Sequence, residues 1–256
     1  MKPADFSKIA DVYDYNSFRH EEIGVDHTLK SFVKDQTNVA PLHVLDLACG
    51  TGIYLNHQKR YFQKQPIKWY GADASDEMLH KAKEKLQDVS LTQALAENLP
   101  YRDEVFHYIC SNYAFHHFTN KETALDEVKR VLKKGGVFKI HNINPYMMKK
   151  WWVYHYFPEA YQEDVKRFWQ VEDLFNELTE RGFEVKIESS YRMENVRTAD
   201  YLSYAENRDI SVLTLIDDKA YERGLNRMRG DVHINPDKKI TNDFAEIFCI
   251  AKKSGK

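Results

Sequence analysis

The stretch that decides the fold is VLDLACGTG, residues 44–52. Its first half has the apolar character of a buried strand, and Gly50 and Gly52 form a tight turn after it. Glycine permits positive φ and lets a ligand approach the main chain closely. A helix is expected to follow this turn. A loop of this kind can hold either a phosphate or an uncharged ribose with an amino-acid tail.

The glycine spacing separates these two kinds of ligand. A dinucleotide-binding turn has the pattern G-x-G-x-x-G, but Leu55 stands at the third glycine position, and no Gly-Lys-Ser/Thr follows to make a P-loop. Asp73 ends the next predicted strand, 21 residues beyond Gly52. A carboxylate there can accept hydrogen bonds from both hydroxyls of a ribose. These residues favour a ribose-bearing ligand without a pyrophosphate and argue against an NAD-dependent oxidoreductase.

Apolar strands alternate with amphipathic helices outward from this turn. The predicted strands cover residues 43–47, 67–72, 105–110, 137–141, 183–187 and 244–251. Strand, helix, strand in repetition indicates right-handed βαβ units. The sequence therefore predicts an α/β fold with a mostly parallel sheet.

Several helix ends are also predicted. Ser75 and Asn120 are expected N-caps, and Gly135-Gly136 is expected to end the helix that Asn120 begins. A later helix, with its apolar face at positions 174, 175 and 178, is expected to end at Gly182.

Composition excludes several classes of protein. The net charge is −2, which lacks the overall basic character of a nucleic-acid-binding protein. Hydrophobic residues make up 43% and charged residues 30%, which argues against disorder. No apolar run approaches the roughly 18 residues of a membrane span, and the N-terminus lacks the apolar segment of a secretory signal. Three scattered cysteines predict buried, reduced thiols in a cytoplasmic protein and no metal site.

The predicted organisation is one domain over residues 1–256. Residues 1–35 form a helical cover and residues 36–143 the cofactor-binding core. Residues 144–170 and 191–242 form helical covers on the substrate side, near the strand ends where open α/β sheets bind ligands.

Several segments, in register, resemble the class I S-adenosylmethionine-dependent methyltransferases. They are FSKIADVYD (6–14), VLDLACGTG (44–52), GADASDEML (71–79), AENLPY (96–101), SNYAFHHF (111–118) and EVKRVLKKGG (127–136). They most resemble the methyltransferase type 11 branch, which includes the ubiquinone/menaquinone C-methyltransferases. The resemblance spans about residues 6–141.

The resemblance implies a Rossmann-like fold of seven strands in the order 3-2-1-4-5-7-6, with strand seven antiparallel. It implies S-adenosyl-L-methionine as cofactor and S-adenosyl-L-homocysteine as product. The implied reaction is in-line methyl transfer to an O, N or C atom of a small-molecule acceptor. A non-catalytic cofactor-binding protein and an RNA or protein methylase remain alternatives, although the charge balance argues against nucleic acid. A monomer or a homodimer is compatible with the sequence.

The resemblance also implies the residues of the cofactor site. Asp46 would hold the amino group, Asp73 the ribose hydroxyls, and Asn112 and Tyr113 would face the sulfonium. The complete implied set is Tyr13, Asp46, Ala48, Gly50, Thr51, Gly52, Asp73, Ala74, Met78, Ala96, Glu97, Asn112 and Tyr113.

Two positions near the adenine leave alternatives open. Met78 can serve as a core residue, an adenine contact, or both. The family often has Asp immediately before A-E-x-L-P, whereas this chain has Leu95. Adenine recognition must then depend on main-chain groups or on Glu97.

Candidate general bases are histidines, because imidazole titrates near neutral pH. His116 and His117 follow strand four, and His141 ends strand five. Methyl transfer from a sulfonium chiefly needs alignment, so no single base is obligatory.

Aromatic residues dominate the segment after strand five. They are Trp151, Trp152, Tyr154, Tyr156 and Phe157. They can enclose a small apolar or cationic acceptor, or they can simply pack the cover or a dimer contact. The arginines at 192, 197 and 208 can pair with a substrate carboxylate or remain solvated.

Overall fold

The computed structural model describes residues 14, 24–36 and 41–255. Most of the predicted N-terminal cover, and with it Tyr13, lies outside the described residues. The strands are β1 Leu42–Leu47, β2 Ile67–Asp73, β3 Ser90–Gln93, β4 Phe106–Asn112, β5 Leu132–Ile143, β6 Phe183–Arg197 and β7 Lys239–Lys253. The helices are α1 His27–Asp35, α2 Ile53–Tyr61, α3 Asp76–Lys85, α4 Lys121–Val131, α5 Trp152–Tyr156, α6 Pro158–Arg167, α7 Val171–Glu180, α8 Leu202–Glu206 and α9 Asp218–Ile234.

The strands form one seven-stranded sheet in the order β3-β2-β1-β4-β5-β7-β6, with β7 antiparallel. This confirms the predicted α/β, Rossmann-like topology. In the parallel region Asp46 lies beside Gly71 of β2 and Cys110 of β4. Asn112 lies beside His141 of β5. The carboxyl ends of β1, β2, β4 and β5 therefore meet at one edge of the sheet.

The two predicted N-caps are confirmed. The Ser75 hydroxyl accepts a hydrogen bond from the Met78 N–H, and the Asn120 side chain accepts one from the Thr123 N–H. Each cap satisfies a main-chain donor that the first helical turn leaves unpaired.

The predicted end of α4 is wrong. The helix ends at Val131, because Leu132 already pairs with Phe106 of β4. Gly135 and Gly136 lie in an irregular part of β5, where the pairing with β4 shifts between Phe106 and Tyr108. Gly135 has φ +74° there.

One other prediction needs correction. Phe175 is 43% exposed, whereas Leu174 and Leu178 of the same helix are buried. The apolar face of α7 is therefore narrower than the sequence pattern indicated. Strands β6 and β7 are both 15 residues long, so the predicted cover 191–242 begins inside β6 and ends inside β7.

The described chain forms two compact units. The larger unit contains residues 14, 24–36, 41–142, 172–187 and 248–255. One of its apolar clusters joins side chains of β1 and β4 to buried residues of α1, α2 and α3, such as Leu29, Leu55 and Leu79. The single-domain organisation and the cover boundaries stay predictions.

The smaller unit contains residues 143–171 and 188–247. Its core is aromatic and holds the Trp and Tyr side chains that follow β5. The Phe157 ring stacks on the Tyr221 ring of α9, with centroids 5.8 Å apart. Across both units, the described helices include none with the length and apolarity that crossing a bilayer requires.

Candidate cofactor-binding site

The turn between β1 and α2 is built from left-handed main-chain conformations. Ala48, Gly50 and Gly52 have φ values of +62°, +53° and +77°. The N–H groups of Ala48 and Cys49 both donate to the Ala72 carbonyl oxygen, which fixes the turn to β2. A Cβ on Gly52 would stand 2.5 Å from Leu86 Cδ1, whereas one on Gly50 would meet no atom of the described residues within 4 Å. Gly52 thus allows helix packing, and no described residue covers the main chain at Gly50.

Asp73 connects this turn to the next strand. Its Oδ2 accepts a 2.7 Å hydrogen bond from the Gly50 N–H, and its Oδ1 accepts a 2.9 Å bond from the Ser75 N–H. These bonds fix the carboxylate and leave acceptor capacity on both oxygens. Burial raises the pKa of Asp73, against the lowering effect of its main-chain donors. Ala74, which follows it, is exposed.

Asp46 is buried at the end of β1, next to polar groups of β4. Burial raises the pKa of Asp46 to about 8, although the thiol of Cys110, 3.6 Å from Oδ1, opposes this shift. The amide of Asn112 also favours the charged form of Asp46. The buried Nδ2 of Asn112 nevertheless has no hydrogen-bond acceptor at good distance and angle among the described residues. The end of β1 therefore holds the Asp46 carboxyl, and the end of β4 holds a buried amide donor whose hydrogen bond is not made.

Tyr113 and His141 lie together at the ends of β4 and β5. Tyr113 has φ +52°, and its N–H donates a 2.7 Å hydrogen bond to the His141 carbonyl oxygen. Their ring centroids are 4.4 Å apart, and the His141 ring also stacks on the Phe248 ring, with centroids 4.3 Å apart. The half-buried imidazole of His141 therefore contacts two aromatic rings.

His116 and His117 occupy the short 3₁₀ turn after β4. The His116 ring is buried, and its Nδ1 lies 3.2 Å from Asn142 Oδ1. The His117 ring contacts the His116 ring at 3.9 Å and is only partly buried. Both histidines therefore lie just after the end of β4, but His116 is buried against Asn142 whereas His117 is partly exposed.

The predicted adenine-side residues have mixed environments. Met78 and Ala96 are buried, whereas Leu95 is 58% exposed. Glu97 Oε1 accepts a 3.0 Å hydrogen bond from the Asn120 N–H, at the start of α4. One oxygen of Glu97 is therefore already engaged in the fold.

Thr51 has a partner that the sequence pattern did not assign. Its buried hydroxyl donates a hydrogen bond to Asp14 Oδ1, and Lys85 pairs with the other oxygen of Asp14. Asp14 is the last residue of the segment FSKIADVYD, so its place in that motif could have indicated a role at the site.

Asp26 is a second buried carboxylate that the sequence analysis did not select, and its charge acts on Asp46. Asp26 caps α1 and accepts hydrogen bonds from the hydroxyls of Tyr54 and Tyr108, at 2.6 and 3.1 Å. Burial alone would raise the pKa of Asp26, but the Lys139 ammonium at 3.0 Å makes the net shift downward. In the sequence, the one indication of this ion pair was a lysine, Lys139, within an otherwise apolar strand pattern.

The aromatic segment of the smaller unit is a packed core. Trp151, Trp152, Tyr154, Tyr156 and Phe157 are each 7% exposed or less and contact one another and α9. Of the two interpretations left open by the sequence, these contacts within the unit favour packing.

The three arginines considered for a substrate carboxylate contact carboxylates of the chain. Arg192 lies 3.6 Å from Glu246, Arg197 2.6 Å from Asp200, and Arg208 2.7 Å from Asp218. Arg208 also lies over the Tyr221 ring.

The residues at the strand ends fit a nucleoside with an amino-acid tail. The main chain at Gly50, which no described residue covers, suits close contact, the fixed Asp73 carboxylate suits a diol, and the Asp46 and Asn112 pair suits a zwitterion. Within the described ranges, no three His, Cys, Asp or Glu side chains are grouped as a metal site requires.

Comparison with known proteins identifies similar sequences. Residues 45–140 match the family model described as a methyltransferase domain. A demethylmenaquinone methyltransferase of Thermotoga maritima is 34% identical over 142 residues, which is 55% of this chain and 60% of the relative. The chain thus spans less than two thirds of that relative.

Solved structures share the fold. A putative methyltransferase from an antibiotic biosynthesis pathway of Anabaena variabilis has a TM-score of 0.68 at 20% identity, covering 90% of this chain and 98% of that one. A phosphoethanolamine N-methyltransferase of Haemonchus contortus, bound to phosphomonomethylethanolamine and S-adenosylhomocysteine, has a TM-score of 0.58 at 16% identity. It covers 99% of this chain and 60% of that one.

Proposed function

We propose that this chain, which is similar to the methyltransferase domain family over residues 45–140, is a class I S-adenosylmethionine-dependent methyltransferase that transfers the methyl group of its cofactor to a small-molecule acceptor. The observation that carries the proposal is the convergence of the Gly50 main chain, Asp73 and the Asp46–Asn112 pair at one sheet edge. The accepting atom is O, N or C. A cytoplasmic location is part of the same proposal.

Asp73 is the proposed partner of the ribose hydroxyls. Two main-chain N–H groups already hold its carboxylate in place, so little side-chain entropy is lost when a diol binds. Hydrogen bonds to an ionised carboxylate are also stronger than neutral ones.

Asp46 and Asn112 are the proposed partners of the amino-acid tail. The Asn112 Nδ2, which lacks a full partner among the described residues, can donate to a carboxylate. The Asp46 carboxyl can hold an ammonium group. A nearby positive charge favours the ionised form of Asp46, so its high pKa falls when a cation binds.

The bound cofactor supplies a sulfonium that makes its methyl group electrophilic. The chain aligns the acceptor and shields the reaction from water. We assign His141 as the first candidate base, since it is partly exposed at the end of β5 beside Tyr113. His116 is buried against Asn142 and suits a positioning role. His117 is the second candidate base.

Calorimetry with S-adenosylhomocysteine and NAD⁺ tests the cofactor assignment. We expect binding of the first compound and none of the second. Turnover is then followed as S-adenosylhomocysteine release with phenol, amine and enolisable-carbon acceptors. Cofactor binding without turnover on any acceptor would instead support a non-catalytic binding protein, and salt-sensitive RNA binding would support an RNA methylase.

A further inference from the structure

We propose that the ion pair of Glu127 and Arg130 on α4 positions the loop that receives the base of the cofactor. This loop covers residues 94–105, between β3 and β4. The role rests on the proposed function, and it adds the element that binds the base and the side chains that hold this element. Both are positioning residues, because they act through the loop and not on the cofactor itself.

The strand order determines where the base lies. Asp73, the proposed ribose partner, ends β2, whereas the proposed partners of the tail, Asp46 and Asn112, lie at the ends of β1 and β4. In the order β3-β2-β1-β4 the tail therefore extends from β2 toward β4. The base and the tail are attached to opposite ends of a ribose. The base is thus directed toward β3, where Gln93 pairs with Asp73 and the loop begins.

The loop has little main-chain support of its own. Its first residue is anchored to β2, because the Ala94 N–H donates a 2.9 Å hydrogen bond to the Asp73 carbonyl oxygen. The structure describes all of residues 94–105, and one main-chain hydrogen bond joins two of them, from the Asn98 N–H to the Leu95 carbonyl oxygen at 3.1 Å. Groups outside the loop must therefore fix its conformation.

Arg130 binds the middle and the far part of the loop. Its guanidinium donates hydrogen bonds to the main-chain carbonyl oxygens of Leu99 and Tyr101, at 2.9 and 2.7 Å. It also donates to the Asp103 carboxylate at 2.9 Å. A planar guanidinium has five N–H donors in a rigid arrangement, so it can hold several acceptors at once, whereas a lysine ammonium cannot reproduce this geometry.

Glu127 orients this guanidinium and adds a bond to the loop. Its two carboxylate oxygens accept hydrogen bonds from Arg130 Nε and Nη2, at 2.6 and 2.8 Å. These bonds hold the pKa of Glu127 below its ordinary value. Glu127 Oε2 also accepts a 2.7 Å hydrogen bond from the Leu99 N–H. One ion pair thus binds both the N–H and the carbonyl oxygen of Leu99.

The consequence is a loop that is ordered before the cofactor arrives. Leu99 is buried, and the predicted adenine-side residues Ala96 and Glu97 precede it closely in the chain. Without the ion pair, the base would have to order the loop as it binds, and that cost is subtracted from the affinity.

Calorimetry tests the proposal with S-adenosylhomocysteine directly and with adenosine by competition. We expect Arg130→Lys to raise both dissociation constants by about tenfold and by the same factor, because both ligands carry the base. Glu127→Gln should raise them less, since its amide keeps an acceptor for the Leu99 N–H. Arg181→Lys is the matched control, because the carboxylate partners of Arg181 lie on α4 and α7 and not in the loop.

Hydrogen exchange separates positioning from a merely structural role. In the ligand-free Arg130→Lys variant, amides of residues 95–99 should exchange about tenfold faster than in the native chain, and S-adenosylhomocysteine should slow them again. Urea unfolding is expected to show lost stability in both Arg130→Lys and Arg181→Lys, whereas only the first should lose affinity.

Equal dissociation constants in the native chain and Arg130→Lys, a change confined to S-adenosylhomocysteine, or unchanged exchange of the loop amides would overturn this role and leave the proposed function standing. A native chain that binds neither ligand would overturn the proposed function, and the role of the ion pair with it.

Discussion

At the residue scale, Asp73 joins the structural and functional parts of the site. Its two oxygens fix the main chain of the glycine turn and of the α3 cap. The same carboxylate is the proposed ribose partner. Substitution therefore removes a ligand contact and loosens the turn that surrounds it.

We expect Asp73→Asn to weaken S-adenosylhomocysteine binding by about tenfold or more, since it replaces a charge-assisted acceptor by a neutral amide. Calorimetry gives the affinity directly. Asp76→Asn, three residues on and exposed, is the matched control. Equal affinities in the two variants would contradict the ribose assignment.

Asp46 makes stability depend on pH in a defined direction. Its pKa is about 8 in the folded chain against an ordinary value of 3.8. Between these values the folded state holds a proton that the unfolded state has released. The free energy of unfolding therefore falls as the pH rises from about 4 to about 8.

We expect Asp46→Asn to reduce this fall by about 1 kcal/mol per pH unit in the ligand-free chain. Urea unfolding at several pH values between 5 and 8 measures the difference from the native sequence. The exposed Asp76→Asn should keep the native slope. If the free energy of unfolding changed with pH by the same amount in the native chain and in Asp46→Asn, Asp46 would ionise normally in the folded chain.

At the element scale, α9 shows how close packing depends on one glycine. A Cβ on Gly224 would stand 2.4 Å from Phe157 Cδ1 and 2.6 Å from the Tyr156 carbonyl oxygen. For Gly230, in the same helix, such an atom would meet none of the described residues within 4 Å. The helix therefore contains one glycine that packing requires and one that it does not.

We expect Gly224→Ala to destabilise the chain by about 1–3 kcal/mol through overpacking. Gly230→Ala should stabilise it by roughly 0.5–1 kcal/mol, because alanine favours a helix interior. Thermal unfolding followed by tryptophan fluorescence compares the two. A harmless Gly224→Ala would mean that Phe157 can move away from α9.

At the scale of the larger compact unit, the Asp26–Lys139 pair joins distant parts of the chain. Asp26 caps α1, bonds to tyrosines of α2 and β4, and pairs with Lys139 of β5. Burying these charges is costly, so each ion depends on the other.

We expect Lys139→Met to destabilise the chain by about 3–5 kcal/mol, since it leaves the Asp26 carboxylate buried without its cation. Adding Asp26→Asn should recover much of the loss. Lys134→Met, at an exposed position of β5, is the control. Equal unfolding midpoints for the Lys139 and Lys134 variants would show that the pair contributes little.

The sequence predicted those features whose physical cause is local. The glycine turn and the caps at Ser75 and Asn120 follow from φ preferences and short-range hydrogen bonds. The strand order was implied by the family resemblance, and the structure confirms it. The spacing of Asp73 after Gly52 was enough to propose it as a ribose partner, whereas Asp46 was proposed from the family resemblance.

Only tertiary structure decided burial and long-range partners. It alone shows that Phe175 is exposed, that β5 begins before Gly135, and that Asp26 meets Lys139. It also shows that β3 and β6 are the strands at the two edges of the sheet. A periodic pattern defines what a segment can form, whereas its neighbours in space determine which groups lose water and which remain available to a partner.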